Sequence, residues 1–371
     1  MVTPWYYPEV GGSETFVKDI TPKLNELKIQ TDIMTFNIDY KLKKDRNIQR
    51  KETNVIDGIR IIKIPALHIW PAERFRIRYF PMKFLNTFKE YDIIHFHNDS
   101  ELSLPFFSYF VKKPKILHCH TIAATYNFYK ENLISRHILK KVADIYTSVS
   151  KKLLPLFDVL GINRMKVRLL PNSINLELFK PGEVEKIENL LLYVGRIDPV
   201  KGIHVLLKSL YYLKPSIQLV IIGPKSWDRI YLEKILGLVE RINNETPHKV
   251  VYLGMLKRED IIEWYQKASI FVLPSLAESF GIVNLEALSC ETPVVASNVG
   301  GISDVIREHE TGILVPPNDP IKIAESLQYL LCNEKVRRDL GRNGRKLVEK
   351  NFSSIVTARR LCKIYEEMLD K

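Results

Sequence analysis

The sequence lacks the features that would place a chain in a membrane or in an oxidising compartment. It has no run of about 18 consecutive apolar residues, which a membrane-spanning helix requires. It opens with MVTPWYYPEVGG, without the basic and apolar segments of a secretory signal. Its four cysteines, at positions 119, 290, 332 and 362, form no CxxC pair, and this spacing predicts neither a zinc site nor a disulfide framework. We therefore expect a cytoplasmic protein.

Motifs for the common dinucleotide and nucleic-acid sites are also missing. No GxGxxG occurs, so the dinucleotide-binding fingerprint is absent. The net charge is +12, and residues 1–180 hold 29 Lys and Arg against 18 Asp and Glu. This asymmetry indicates either a domain that faces an anionic surface or a solvated basic face without a partner. Because no DNA- or RNA-binding motif accompanies the charge, we expect no nucleic-acid partner.

What is present is an alternation of short apolar runs with longer stretches of helical periodicity. Runs of this kind, bounded by Gly or Pro, are typical of buried parallel strands in βαβ units. The chain of 371 residues is too long for one core, so we expect an α/β protein with two doubly wound domains. The strands are predicted at 1–6, 31–36, 59–64, 92–97, 115–120, 144–150, 166–171, 191–195, 217–223, 249–254, 269–275, 293–297 and 312–316.

The domain boundaries follow from composition. Residues 1–175 are predicted to form the first domain and residues 190–350 the second. The polar, proline-containing stretch 176–189 is predicted to be a linker. Residues 351–371 form an amphipathic helix, which we expect to pack back on the first domain. Helices of the first domain are predicted at 13–28, 79–90, 101–111, 132–142 and 151–160.

Two carboxylates flank the start of a helix after the predicted strand 269–275. Glu278 lies in the loop, and Glu286 lies one turn into the helix that begins near Gly281. Carboxylates accept paired hydrogen bonds and so suit the vicinal hydroxyls of a ribose or a hexose. The backbone N–H groups of Phe280, Gly281 and Ile282 offer an anion site. The alternative is a capped helix that carries two surface glutamates.

Two basic residues follow the strand 191–195. Arg196 and Lys201 lie in the loop before a helix, where two cations suit a diphosphate, although both could instead be solvated surface residues. Gly11 and Gly12 precede the first helix, and they either let the backbone approach a ligand or form a simple tight turn.

Histidines end two neighbouring strands of the first domain. His95 and His97 end the strand 92–97, and His118 and His120 end the strand 115–120. Within each strand the two histidines share a face, because side chains alternate along a strand. They either line a binding site or serve as structural residues.

The segment Glu278-SFGIVNL-Glu286 resembles the E-x7-E signature of the family 4 glycosyltransferases, also called group 1. The resemblance extends to Pro8-x-x-Gly11-Gly12-x-Glu14, YDIIHFHN (91–98), HCHT (118–121), PNSIN (171–175), YVGRIDPVKG (193–202) and LVPPNDP (314–320). Two segments depart from the usual pattern. Asn172-Ser-Ile-Asn175 stands where Asn-Gly-Val-Asp is usual, and Gly300-Gly-Ile-Ser-Asp304 where Gly-Gly-Ile-Pro-Glu is common.

The resemblance implies a fold of the GT-B type, in which two Rossmann-like domains face a central cleft. It implies retaining transfer of a hexose from a nucleotide sugar, with UDP or GDP, to a glycan or lipid-linked acceptor. In the family, residues matching Arg196 and Lys201 clamp the donor diphosphate, and a histidine matching His120 contacts the transferred sugar. The leaving phosphate itself takes the acceptor's proton. The loop of Gly11 and Gly12 lies near the donor phosphates and the acceptor.

No Asp-x-Asp pair occurs, and such a pair holds a divalent ion against the diphosphate in metal-dependent glycosyltransferases. We therefore expect no essential metal and no other cofactor. Two other enzymes use a similar architecture, a sugar-nucleotide epimerase and a phosphorylase. The E-x7-E and HCHT segments argue against the first, and the length of the chain argues against the second.

A segment of the first half interleaves basic and aromatic residues. Between residues 70 and 84, Arg74, Arg76, Arg78 and Lys83 alternate with Phe, Ile and Tyr. Such a mixture suits a membrane interface, where rings lie at headgroup depth and cations meet anionic lipid. We expect this acceptor-side segment to hold the protein on the inner face of the membrane; the alternative is a buried helix with a solvated basic side.

Overall fold

The protein consists of two compact units. The computed structural model describes residues 1–4, 6, 11–37, 51–68, 70–81, 85–97, 99–226 and 228–370. The first unit comprises Met1–Ser173 with Ser354–Lys371, and the second comprises Ile174–Ser353. The predicted linker 176–189 lies within the second unit. Its Phe179 is fully buried, and Ile187 N donates to the carbonyl of Lys267 at 2.8 Å, so apolar burial and backbone pairing hold it against that unit.

The first unit is built on a mainly parallel sheet. Its strands are β1 (Ile33–Phe36), β2 (Glu52–Ile56), β3 (Ile59–Ile64), β4 (Ala66–His68), β5 (Tyr79–Pro81), β6 (Ile94–His97), β7 (Lys115–Cys119), β8 (Ile145–Ser148) and β9 (Val167–Leu169). Its helices in this part of the chain are α1 (Gly12–Glu26), α2 (Leu85–Phe88), α3 (Ser103–Phe107), α4 (Ile122–Glu131), α5 (Leu133–Leu139) and α6 (Leu154–Val159). The sheet orders are β1-β3-β2 and β6-β7-β8-β9.

The beginning of the chain joins these two sheets. Val2 bridges Met34 of β1 and Phe96 of β6, both in parallel. The strand predicted at residues 1–6 is therefore a single bridge in the described residues. The helix predicted at 79–90 is also wrong in its first part, because residues 79–81 pair with β4 as β5. The helix α4 was not predicted, since its sequence IAATYNFYKE has no clear apolar stripe.

The second unit contains one six-stranded sheet in which every pairing is parallel. Its strands are β10 (Leu190–Val194), β11 (Gln218–Ile222), β12 (Lys249–Gly254), β13 (Ile270–Leu273), β14 (Val294–Ser297) and β15 (Gly312–Val315). Its helices are α7 (Ile203–Ser209), α8 (Arg229–Glu245), α9 (Arg258–Lys267), α10 (Ile282–Ser289), α11 (Ile302–Val305), α12 (Pro320–Cys332) and α13 (Glu334–Asn351). The order β12-β11-β10-β13-β14-β15 reverses between β10 and β13, and ligands of doubly wound sheets bind at such a reversal.

The last helix, α14 (Ser354–Leu369), returns to the first unit. Its apolar face, including Leu361, Tyr365 and Met368, joins one buried cluster with Phe16 and Ile20 of α1. The stripe that the sequence shows in this segment is thus buried against α1. Among the described residues, no helix is both long and apolar enough to cross a lipid bilayer.

Candidate active site

The loops that follow β10, β13 and β14 touch one another at the reversal point of the second unit. Leu276 N, after β13, donates to the carbonyl of Val200, after β10, at 2.8 Å. Gly300, after β14, packs so closely on the loop of Glu278 that a Cβ at this position would collide with the Glu278 carbonyl oxygen. Only glycine fits there. This contact is a requirement that the sequence pattern did not reveal.

Lys201 and Glu278 form an ion pair across two of these loops. Lys201 Nζ lies 2.5 Å from Glu278 Oε2, and the two side chains are only 24% and 14% exposed. The other carboxylate oxygen of Glu278 accepts from Ser279 N at 3.1 Å. The structure therefore brings together two residues that lie 77 positions apart in the sequence. A diphosphate that binds Lys201 has to compete with, or share, this carboxylate.

Arg196 is more open to solvent. Its side chain is 56% exposed and lies 3.6 Å from Asp198 Oδ2. The loop itself is ordered by local hydrogen bonds, since Tyr193 Oη donates to the Arg196 carbonyl at 2.9 Å and Val200 N donates to Asp198 Oδ1 at 3.0 Å. An exposed guanidinium on an ordered loop can reach a phosphate at little cost in conformational entropy.

The start of α10 follows directly. Gly281 precedes the helix with a φ of 80°, a left-handed conformation that favours glycine, and Ile282 is its first residue. The Phe280 ring is 2% exposed and packs edge-on against Phe352 with centroids 5.9 Å apart. Phe280 can therefore contribute to a ligand site through its backbone, as the sequence predicted, while its ring anchors the loop.

Glu286 is held by a tyrosine from the neighbouring helix α9. Tyr265 Oη donates to Glu286 Oε2 at 2.7 Å, and Tyr265 is fully buried. Burial, reinforced by the nearby Glu286 charge, raises the pKa of Tyr265 well above its ordinary value, so the hydroxyl remains a donor. Nothing in the sequence pattern marks Tyr265, because it is one more apolar-stripe residue of a helix 21 positions away.

The four predicted histidines of the first unit form one buried cluster. In the sheet, His97 is paired with His118. The rings of His118 and His120 stack at 4.0 Å, those of His95 and His97 at 4.3 Å, and His97 Nδ1 lies 3.2 Å from His120 Nε2. Phe16 of α1 covers the cluster, with its ring 4.9 Å from that of His118.

Burial keeps these imidazoles neutral. It lowers the pKa of His120 to about 3 and lowers the pKa values of His95, His97 and His118 well below 6.5. His95 Nδ1 lies 2.9 Å from Tyr365 Oη of α14. Because the His95 residue is only 2% exposed, it supports the cluster from within and does not line a surface. Within the described residues, His95, His97 and His118 offer nitrogens within 4.8 Å of one another, a set that could hold a transition metal.

Asp99 orders the loop that carries His120. Its carboxylate accepts from Thr121 N at 2.8 Å, Thr121 Oγ1 at 3.0 Å and Thr125 Oγ1 at 2.7 Å. It thereby fixes the residue after His120 and the first turn of α4. Burial raises the pKa of Asp99, while these donors oppose that shift. Asp99 was not predicted, although it lies two residues after the predicted strand that ends at His97.

Gly11 and Gly12 lie at the start of α1. Gly11 precedes the helix in an extended conformation, and Gly12 is its first residue. A Cβ at Gly11 would meet the carboxylate of Glu14, which also accepts from Ser13 Oγ at 2.9 Å. The absence of a side chain therefore lets Glu14 fold back over the helix start. Pro8 of the predicted motif lies outside the described residues.

The predicted membrane segment makes contacts inside its own unit. Arg78 Nε lies 3.7 Å from the buried carboxylate of Glu101 and 3.8 Å from Glu73. The Arg76 guanidinium lies 4.3 Å from the centre of the Phe128 ring, and that of Arg74 lies 4.8 Å from the centre of the Phe75 ring. Carboxylates and rings of the protein thus engage these three arginines while Arg74 remains exposed, and their expected contact with lipid stays a prediction. Lys83 and Phe84 lie outside the described residues.

Comparisons with known proteins agree with this geometry. Residues 175–347 match the family model for glycosyl transferases group 1, and residues 10–178 match that for glycosyltransferase family 4. The chain belongs to the family 4 glycosyltransferases. Its predicted family membership is thus confirmed.

Relatives of this glycosyltransferase span nearly its whole length. A Methanocaldococcus jannaschii protein, named as an uncharacterised glycosyltransferase, is 26% identical over 98% of this chain and 97% of its own. A D-inositol 3-phosphate glycosyltransferase from Corynebacterium diphtheriae is 26% identical over 90% of this chain and 84% of its own.

Solved structures confirm the predicted α/β fold of the GT-B type with two Rossmann-like units. A sucrose-phosphate synthase from Thermosynechococcus elongatus aligns with a TM-score of 0.81 at 25% identity, covering 100% of this glycosyltransferase and 98% of the synthase. The Anabaena protein HepE, solved in complex with UDP-glucose, aligns with a TM-score of 0.77 at 17% identity, covering 99% of both chains.

Proposed function

We propose that this glycosyltransferase moves a hexose from a UDP- or GDP-sugar to a glycan or lipid-linked acceptor, with retention of anomeric configuration and without a metal ion or other cofactor. The observation that carries the proposal is the pairing of Lys201 with Glu278 beside Arg196 at the strand reversal of the second unit. This edge combines cations for a diphosphate with carboxylates for sugar hydroxyls.

The donor diphosphate is assigned to Arg196, Lys201 and the backbone at the start of α10. Charge develops on the diphosphate as it leaves, and preorganised cations and N–H groups stabilise that charge most in the transition state. Glu286 is assigned to the ribose hydroxyls, and its hydrogen bond from Tyr265 holds one carboxylate oxygen in place for this role. The complexes of the Anabaena relative with UDP-glucose support a nucleotide sugar as the donor.

In the second unit Glu278 is assigned to the transferred sugar, and in the first unit His120 is assigned to hydrogen bonding with a sugar hydroxyl. Because the pKa of His120 is lowered to about 3, its imidazole is neutral at physiological pH and can exchange hydrogen bonds with hydroxyl groups. The oxygen of the leaving phosphate takes the proton of the acceptor hydroxyl, so the C–O bond to the acceptor forms as the bond to the phosphate breaks. The acceptor side is assigned to His97 and the segment of Arg74, Arg76 and Arg78, with His95 in support. The site of action is proposed to be the cytoplasm, at the inner face of the membrane.

A thermal-shift panel of UDP, GDP and ADP and their hexose conjugates tests the donor assignment. A ligand present at about 100 times its Kd stabilises the folded state by about 2.7 kcal/mol, which is readily measured. We expect one base to stabilise the wild-type protein, and Arg196→Ala to remove most of that shift. Cleavage of a glycan that depends on phosphate, without any nucleotide shift, would instead identify a phosphorylase.

The stereochemistry is tested on the identified donor. The anomeric configuration of the first-formed product is read by proton NMR, with or without an added acceptor sugar. A product with the configuration of the donor supports retention, and one with the inverted configuration refutes it.

A further inference from the structure

The loops that enter three neighbouring strands of the first unit form a continuous surface. Because β6, β7, β8 and β9 are adjacent and parallel, the residues before each of them lie at the same edge of the sheet. The entries to β7 and β8 are bonded in both directions, since Lys115 N donates to Asp144 Oδ2 and Asp144 N to the Lys115 carbonyl, each at 2.9 Å. We name residues 109–113, 140–141, 159 and 164–166 the entry face.

The entry face exposes large apolar side chains. Phe110 is 80% exposed, Met165 79%, Tyr109 61% and Val159 55%. Tyr109 and Phe110 pack edge-on with centroids 5.8 Å apart, which makes them a paired aromatic projection. These side chains come from two separate connections, the one before β7 and the one before β9, so together they form a patch. A patch of this kind is a mark of an interaction surface.

The same face is strongly basic. Its cations are Lys112, Lys113, Lys140, Lys141, Arg164 and Lys166. The acidic residues beside it are Asp144, which accepts from the Lys115 backbone, and Asp158, and Glu90 and Asp92 precede the neighbouring strand β6 at the same edge. Part of the positive excess of the first half of the chain therefore lies at one edge of one sheet.

We propose that the entry face binds the surface of an anionic lipid bilayer. Aromatic and aliphatic side chains among cations match the two layers of such a surface, since rings enter the headgroup region while cations meet lipid phosphates. A second copy of this chain fits poorly, because a two-fold contact would place the same six cations against themselves. A polynucleotide would satisfy the cations and leave the Met165 and Val159 side chains in water.

The entry face lies opposite the edge that carries the histidine cluster. His97 ends β6, and His120 follows the end of β7, whereas the entry face precedes these strands. Strands of four or five residues at about 3.3 Å per residue separate the two edges by roughly 15 Å. Membrane attachment by this face therefore leaves the histidine edge open, and the two properties can be changed independently.

Vesicle flotation of the full chain tests the proposal. The probes are vesicles of phosphatidylcholine alone and of phosphatidylcholine with phosphatidylglycerol. We expect the wild-type protein to float only with the anionic vesicles and to be released by salt, because the Debye length shortens to about 8 Å at physiological ionic strength and further above it. Equal recovery with both vesicle types at low salt would overturn the proposal.

Two variants resolve the apolar and the ionic contributions. Since each basic residue near an anionic surface strengthens binding about fivefold, Lys112→Glu with Lys113→Glu should weaken partition by more than about tenfold. Phe110→Ser should weaken it several-fold and leave the salt dependence unchanged. The matched controls lie in the second unit. The control for the charge reversal is Lys249→Glu with Lys335→Glu, and the control for Phe110→Ser is Ile230→Ser, since the Ile230 side chain is 81% exposed.

The outcomes separate this proposal from the proposed function. Retained nucleotide thermal shifts in the entry-face variants, with loss of flotation, support attachment by this face whatever the acceptor is. Flotation that both entry-face variants retain would overturn it. Two other results would also overturn the proposal. One is displacement of the protein from vesicles by duplex DNA at a phosphate concentration equal to that of the lipid, and the other is a wild-type dimer that Phe110→Ser converts to a monomer.

Discussion

Neutralising Glu278 should strengthen the binding of a nucleoside diphosphate while it damages turnover. Lys201 Nζ lies 2.5 Å from Glu278 Oε2, so a diphosphate that binds the lysine has to compete with this carboxylate. The variant Glu278→Gln keeps the size of the side chain and removes its charge. The diphosphate then gains a lysine that no longer has a carboxylate as partner, and one negative charge is removed from its vicinity.

The size of the effect follows from the exposure of the pair. Two unit charges about 4 Å apart attract by about 4 kcal/mol at an effective dielectric constant of about 20, whereas exposed pairs contribute about 0–1 kcal/mol. With side chains 24% and 14% exposed, the pair lies between these limits, and the neutral amide still bonds the lysine. We expect a net gain of about 1 kcal/mol, which is about fivefold in Kd.

Isothermal titration with the diphosphate chosen by the thermal-shift panel measures this gain. The same variant should lose on the order of a hundredfold in kcat with the nucleotide sugar, because the contact to the transferred sugar is lost. Glu310→Gln is the control, since it removes an exposed pair with Arg307 at 3.0 Å and should change neither quantity. A Kd for the diphosphate that rises in Glu278→Gln would refute the reasoning and exchange the roles of Glu278 and Glu286.

Four further outcomes are expected. Arg196→Ala should cost about 2–4 kcal/mol of transition-state stabilisation, and a kcat/KM within about threefold of wild type would contradict the clamp. Tyr265→Phe removes the hydroxyl bonded to Glu286 and should weaken nucleoside diphosphate binding about three- to tenfold, because the lost hydrogen bond positions Glu286 and does not itself contact the ligand. Tyr211→Phe, which loses a surface hydroxyl 3.2 Å from a glutamate, should leave binding unchanged. Excess EDTA should leave turnover intact, and a complete loss that magnesium or manganese restores would contradict the metal-independent donor site. The free energy of unfolding, measured in urea, should fall as the pH falls below about 6.5, because histidines of the unfolded chain then take up protons while the buried histidines stay neutral, with the pKa of His120 at about 3. Each buried histidine contributes up to about 1.4 kcal/mol per pH unit. A flat profile from pH 7.5 to 5.5 would contradict the burial of the cluster.

The candidate site shows what local sequence patterns can and cannot reveal. Arg196, Lys201 and Glu278 were predicted because each follows a recognisable buried strand, and the carboxyl ends of parallel strands share one edge. The contact between Lys201 and Glu278 was not predicted, since it depends on which strands are neighbours. Tyr265 was missed for the same reason, because a tyrosine on an amphipathic helix carries no mark of what its hydroxyl touches.

The amino-acid sequence by itself determined the type of most major elements, the two-part α/β organisation and the family, because apolar periodicity and turn residues act over a few positions. Only the tertiary structure decided the strand order, the burial of four histidines under Phe16 and the gathering of distant lysines on the entry face. Residues 176–189 illustrate the difference. Their polar, proline-containing sequence is typical of a linker, yet Phe179 is fully buried in the second unit. Whether the Phe179 ring is buried depends on the residues that it packs against. One of them is Tyr265, which lies more than 80 positions away in the sequence.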